Sequence, residues 1–188
     1  MSTTPSRIVR MSGALACDEL LVLRKQIGDV AYAQTIAALA AEVREDVLAL
    51  TSVATINVEH IKAVFVAAAK VTGRAPEEVH HDAVFGGTEH TFRNVWRLLL
   101  RVTTDNAIIT RVPAIYAKSY DIGTLTARIT APGRAEFVLD GWPDGEEFSM
   151  RGVGIATEAT LTLAGRKDVK AKFYRTANGA RFLVSWAV

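Results

Sequence analysis

Apolar residues recur every three or four positions through the first two thirds of the chain and alternate with polar ones after Gly123. That change of period predicts a helical N-terminal part followed by strands. Leu15, Leu20, Leu23 and Ile27 make a first helical stripe over 14–27, and Gly28 supplies its stop. Asp29 is placed to cap a second helix, AYAQTIAALAAEVREDVLAL, with a break near Ala41. Asn57 caps a third, whose stripe is Val58, Ile61, Val64, Phe65 and Ala68 and whose end is Gly73. A short turn at Pro76–Val79 is expected to lead into a polar loop, HHDAVFGGTEH, running from His80 to His90.

After Gly86-Gly87, Thr88 has the chemistry of an N-cap and Glu89 suits the positive end of a helix. In that helix Phe92, Val95, Trp96, Leu99 and Val102 share one face, and Arg93, Arg97 and Arg101 recur every four residues beside it. Thr103-Thr104-Asp105 restarts a helix through Ile108 and Ile109, which Pro113 breaks or kinks. Ala114 to Ile122 carries Tyr116 and Tyr120 one turn apart and stops at Gly123.

The alternation of Leu125, Ala127 and Ile129 predicts a strand with one apolar face, turned at Pro132-Gly133 into a partner carrying Ala135, Phe137 and Leu139. A second hairpin is expected from VKAKFYR and ARFLVSWAV, joined by Asn178-Gly179 in a type I′ turn. There Val169, Ala171 and Phe173 face Phe182, Val184 and Trp186 in the core. Between the hairpins, GVGIATEATLTLAGR alternates like a strand, yet ends on Gly165 and must cross from one hairpin to the other.

With 188 residues the chain is long enough for one domain with a proper core. The expected division is a loose leader, 1–12, then a single domain, 13–188, helical over 13–122 and hairpin–crossover–hairpin over 123–188. A net charge of +2 gives no field that argues for nucleic acid. The one cysteine, Cys17, excludes an internal disulfide and every multi-cysteine metal pattern. Arg7 and Arg10 interrupt the apolar run that an export signal needs, and no stretch is long enough to span a bilayer, so the expected location is cytoplasmic.

The order of elements, a helix ending in Y-x-x-G, a hairpin, a crossover ending in glycine and a hairpin ending in tryptophan, is carried by PAIYAKSYDIGTLTARI, PGRAEFVLDGWP and GRKDVKAKFYRTANGARFLVSW. It resembles the ligand-binding fold shared by 4-vinyl reductase domains, transport-particle (TRAPP) subunits and haem nitric-oxide-binding domains. It is also similar to a myxobacterial paralogous family of unknown function. The resemblance covers roughly residues 95–188. It implies a helix over 152–164, homodimers, and an apolar pocket between helices and sheet. The haem branch carries a Y-x-S-x-R triad that contacts the haem propionates; the nearest letters here, YAKSY, lack the arginine. Cys17 lies outside the matching region, away from where a transport-particle subunit carries an acylated cysteine, and one cysteine cannot supply the metal ligands of the reductase branch.

Chemistry-bearing motifs are few. Adjacent histidines diverge by about 100° on a helix, so His80 and His81 make a poor chelate, and His90 follows beyond two glycines. His60 sits on an apolar helix face and has a structural role there. No G-x-S-x-G elbow, dinucleotide fingerprint or phosphate loop occurs. The acids beside Cys17 would raise a thiol pKa. The pairs Glu77-Glu78 and Glu146-Glu147 fall among loop residues and are expected to be solvated.

The expectation is therefore an α+β domain, a helical N-terminal half packed on an antiparallel sheet of two β-hairpins joined by a helical crossover. It needs no cofactor or metal and has no catalytic residues. The expected role is a non-catalytic regulatory or interaction module that binds a protein partner as a homodimer, with Arg93, Arg97 and Arg101 as the partner or anion contact. The alternative is a sensor or carrier of a small hydrophobic ligand lined by Trp96, Ile109, Ile115, Tyr116 and Tyr120. Lys170, Lys172 and Arg181 form a second basic patch, with too few aromatics for single-stranded nucleic acid.

Overall fold

A short strand turns into the first helix at Ser12, whose hydroxyl accepts from the Leu15 backbone N–H at 3.4 Å. The structure is a computed structural model, and it describes residues 8–92 and 104–188. Strand β1 (Arg10–Ser12) pairs antiparallel with β2 (Thr55–Asn57), so residues 10–12 are part of the fold and not of a loose leader. Helix α1 (Gly13–Ala37) is interrupted at Gly28, whose φ of 81° only glycine adopts at little cost, as its place in the sequence predicts. Helix α2 (Ala41–Ala49) follows the expected break. Helix α3 (Val58–Thr72) begins at Asn57, whose side chain accepts from Glu59 N–H, and ends at left-handed Gly73; its whole expected stripe is buried.

Helix α4 (Pro76–Phe92) corrects the reading of the histidine stretch. His80 to His90 is uninterrupted helix, Thr88 caps nothing, and Gly86-Gly87 is not a loop. The reason is tertiary: a Cβ on Gly86 would lie 2.7 Å from Val22 Cγ1, and one on Gly87 would lie 2.9 Å from the Glu19 backbone. The glycines let α4 press directly on α1, which outweighs their cost of about 1 kcal/mol each in a helix interior.

After 93–103, Thr104 caps α5 (Asp105–Ile109), and α6 (Val112–Ser119) carries Pro113 in its first turn, where no N–H is missed. The sheet is wholly antiparallel, in the order β3 (Thr124–Ala131), β4 (Arg134–Asp140), β6 (Gly179–Ala187), β5 (Lys167–Thr176). Its two hairpins are those the alternation predicts, although Ile129 on the edge strand stays 39% exposed. The second turn differs from expectation. Thr176 pairs with Gly179, so the loop is Ala177-Asn178, and neither residue has a positive φ. Gly179 instead lies where a Cβ would be 2.1 Å from the Leu139 carbonyl.

The crossover is helix α7 (Glu147–Leu163), as the resemblance implied and the bare alternation did not. It packs on β5 and β6 on one side and on α4 and α3 on the other. The core therefore continues from Phe137, Phe182 and Val184 on the inner sheet face, through Met150, Val153 and Leu161 of α7, to Phe65, Val79 and Ala83 of the helical half.

Candidate functional site

The place where α1, α3, α4 and α7 meet holds a partly open cavity of about 20 Å³. Its walls are mostly apolar, including Met11, Val58, Ile61, Phe65, Val84 and Phe148, with Glu19, Lys62, His80, Tyr120 and Ser149 as the polar members. A cavity this size holds about one water-sized group.

Glu19 is the most unusual of these. It is 2% exposed, and the Gly87 contact holds its backbone against α4. No hydrogen bond or ion pair reaches its carboxyl among the described residues. Burial, helped by neighbouring Asp18, pushes its pKa up to about 8, so the acid is neutral at pH 7. Asp18 itself is engaged elsewhere, taking His90 Nδ1 at 2.9 Å and the Thr91 hydroxyl at 2.6 Å. Tyr120 has its pKa raised, by burial first and then by Glu19 and Tyr116.

His80 is buried to 5% exposure and stacks on Phe148 with ring centres 4.1 Å apart, while Phe65 tilts against it at 5.5 Å. Burial lowers its pKa to about 4, with smaller pushes from His81 and Arg151, so its ring is neutral too. His81 on the next helical position points elsewhere, 3.6 Å from Glu158. Three histidines close in sequence thus end in three surroundings, and among the described residues no cluster of metal-binding side chains forms. His60 faces Asp46 at 2.8 Å, and burial raises the Cys17 thiol ahead of the contribution from Asp18.

Lys62 is the cation on the cavity lining, but its ammonium is drawn outward to Glu59 (3.1 Å) and Glu146. Glu146 is therefore one half of an ion pair across the α7 N-terminus, not simply solvated. Glu59 and Glu146 also border a surface groove of about 490 Å³ with Val9, Asn57, Trp142 and Asp144.

Of the residues singled out in the sequence as pocket lining, only Tyr120 reaches the cavity among the described residues. Tyr116 is buried and donates to the Ile122 carbonyl at 2.7 Å, its ring 5.1 Å from that of Tyr120. Ile109 is buried in the core, and Ile115 is half-buried on α6. Trp96, Arg93, Arg97 and Arg101 lie outside the described residues. On the outer sheet face Lys170 and Lys172 are exposed, whereas Arg181 stacks over Tyr174 at 5.3 Å. Glu19 and His80 were missed as a pair. The signal for Glu19 was present: three residues after Ala16 and four before Leu23, it falls on the buried stripe of α1.

No protein-family model matches this chain, and no curated protein sequence does. Solved structures do match. An Fe(II) unliganded H-NOX protein from K. algicida is 13% identical with a TM-score of 0.65, covering 95% of this chain and 97% of its own. An oxygen-binding H-NOX domain related to soluble guanylate cyclases, in its oxygen complex, is 12% identical at TM-score 0.66, over 95% and 96%. A point mutant of the T. tengcongensis H-NOX is 11% identical at TM-score 0.68, over 95% and 98%. Support for the resemblance thus comes from the haem nitric-oxide-binding branch, and none comes for the vinyl reductase, transport-particle or myxobacterial likeness. The match also takes in the helical half, well beyond residues 95–188.

The group this fold implies is haem, and the described residues do not fit it. Small-molecule pockets span about 300–1,000 Å³, far more than the cavity between these helices. The buried imidazole, His80, is wedged between two phenylalanines, and a Cβ on Gly152 would already lie 3.3 Å from its Nε2. The Y-x-S-x-R letters are absent from the sequence. At 10–13% identity, what the comparisons establish is architecture: the chain has the α+β fold of the H-NOX domains.

Proposed function

We propose that this protein is a non-catalytic sensor module that binds a small ligand, without haem, in the space between its helical half and the crossover helix. The observation that carries this reading is a water-sized, mostly apolar cavity on which Glu19, His80 and Tyr120 converge, in a fold whose solved neighbours include an oxygen complex. Inside it there is room for a ligand of about one or two heavy atoms. No helix among the described residues is long and apolar enough to cross a membrane.

The test is a thermal shift of the purified protein against an extract of small metabolites from its host. A ligand at 100 times its dissociation constant adds about 2.7 kcal/mol of stability, visible as a Tm shift of several degrees. No shift, with a protein that carries no bound molecule by native mass spectrometry, would reject the sensor reading.

A second reading, an interaction module that pairs with a protein partner or a second copy, is favoured by the exposure of Val30 and Leu48 beside the α1–α2 groove. Light scattering that gives a monomer at high micromolar concentration removes the homodimer from it.

A further inference from the structure

Within that sensor reading, Glu19 identifies the chemistry of the ligand. Glu19 is 2% exposed as a residue, lines the cavity, and has no hydrogen-bond or ion-pair partner among the described residues. A buried acid in this state is costly unless something completes it. The protein's own cation does not: Lys62 lines the same cavity, yet its ammonium is held outside by Glu59 and Glu146. Tyr120 lies on the lining with Glu19, and its ring stacks on that of Tyr116. The groove beyond Lys62 carries Glu59, Asp144 and Glu146, which favour the approach of positive charge.

We propose that the cavity is a site for a small primary alkylammonium ion, with the Glu19 carboxylate as its counter-ion. The ammonium head is the size of the water-sized space present, and a short alkyl tail extends through the open side of the cavity. The proton balance is definite. The protein binds an ammonium that stays protonated, Glu19 gives up its carboxyl proton to the buffer, and an uncharged acid becomes one half of a buried ion pair. The other ionisable groups facing this space are Tyr120, Lys62 and His80, with Asp18 beside Glu19 on α1 and His90 and Thr91 already holding Asp18. None of them is better placed to supply the proton: Tyr120 holds its own above the usual range, and His80 is already neutral.

Isothermal titration of the full chain with methylammonium and ethylammonium chloride tests this, with methanol, ethanol and potassium chloride as controls. Repeating it in phosphate and in HEPES at equal pH counts protons through the different ionisation heats of the two buffers. The expected result is about one proton released per amine bound, and an affinity that rises about tenfold per pH unit between pH 6 and 7.5. Glu19→Gln, close in shape to the neutral acid, should fold normally by circular dichroism and lose both the binding and the proton release. Should that variant not fold, the proton count on the wild type decides alone. Alcohols that bind as well as the amines, or amine binding without proton release, would overturn the amine assignment and leave the sensor reading standing. Failure of the amines while a host metabolite still shifts Tm does the same. Absence of any ligand in either experiment removes both.

Discussion

The two ends of helix α4 bury polar side chains against neighbouring helices by opposite means. Towards its C-terminus, Gly86 and Gly87 bring α4 into backbone contact with α1 and trap Glu19 with nothing to bond among the described residues. Towards its N-terminus, His80 is surrounded by Phe65 and Phe148, which stack on its neutral ring. Both groups are driven to the uncharged form by burial, one upward to about 8 and the other downward to about 4. The difference is in what completes them. The neutral imidazole has two flat faces that Phe65 and Phe148 cover, so most of the His80 side chain packs as core, although stacking leaves its in-plane donor and acceptor nitrogens unanswered. Glu19 has no ring faces to cover, and its carboxyl donor and acceptor positions meet no protein partner among the described residues, where Thr88 Oγ1 is also buried without one.

The largest expected effect comes from disturbing the tight end. Gly87→Ala places a Cβ 2.9 Å from the Glu19 backbone, and neither helix can yield locally because the obstruction is main chain. A loss of about 3 kcal/mol is expected in urea unfolding, at the upper end for overpacking. A loss below about 1 kcal/mol would mean that the α1–α4 crossing is looser than described.

Next in size is the pH dependence. Glu19 has a folded pKa raised from 4.5 to about 8, so the folded state holds the extra proton and stability falls as pH rises through that range. His80 has a folded pKa lowered from 6.5 to about 4, so stability falls as pH drops through that range. The two slopes oppose one another between pH 4.5 and 6.5 and nearly cancel. Above pH 6.5 only the Glu19 slope remains, and stability should decline by about 2 kcal/mol towards pH 8. Glu19→Gln should flatten that decline, and a wild type that gains stability from pH 6.5 to 8 would contradict the buried neutral acid.

The smallest effect belongs to the stacked end. His80→Phe keeps a flat ring between Phe65 and Phe148 and removes a group that must lose its charge to be buried. Phe is the larger ring but has the adjoining cavity to expand into, so its cost in stability at pH 7 is expected at about 1 kcal/mol, the low end for overpacking. A substantially larger loss would give the imidazole a hydrogen-bonding role that its stacking does not account for.

Much of the architecture was legible because it rests on local period and punctuation. The stripe of α3 between Asn57 and Gly73 emerged intact, as did the break at Gly28 and the first hairpin with its positive φ at Gly133. These are set by short-range sterics and by which face of a short segment is apolar. The readings that failed are those in which a distant segment decides. Gly86-Gly87 looks like a flexible loop when the helix that presses on it is out of view, and GVGIATEATLTLAG alternates like a strand although its small residues serve close packing. There, a Cβ on Gly154 would lie 3.0 Å from the Phe182 ring. The Asn178-Gly179 turn shifted by one residue because Gly179 has to pass the Leu139 carbonyl on the neighbouring strand.

The sequence by itself determined an α+β chain with helices first and hairpins second, and the absence from it of any familiar catalytic or multi-cysteine motif. Only the tertiary structure decided which polar residues became a site. Glu19 and His80 lie 61 positions apart in the chain, and each is unremarkable in its own segment. What makes them different is desolvation, a property of everything packed around a group rather than of its neighbours in sequence. Period and composition therefore predict where a helix turns its apolar face. Whether a carboxyl on that face ends up paired, solvated or alone depends on which helix arrives to cover it.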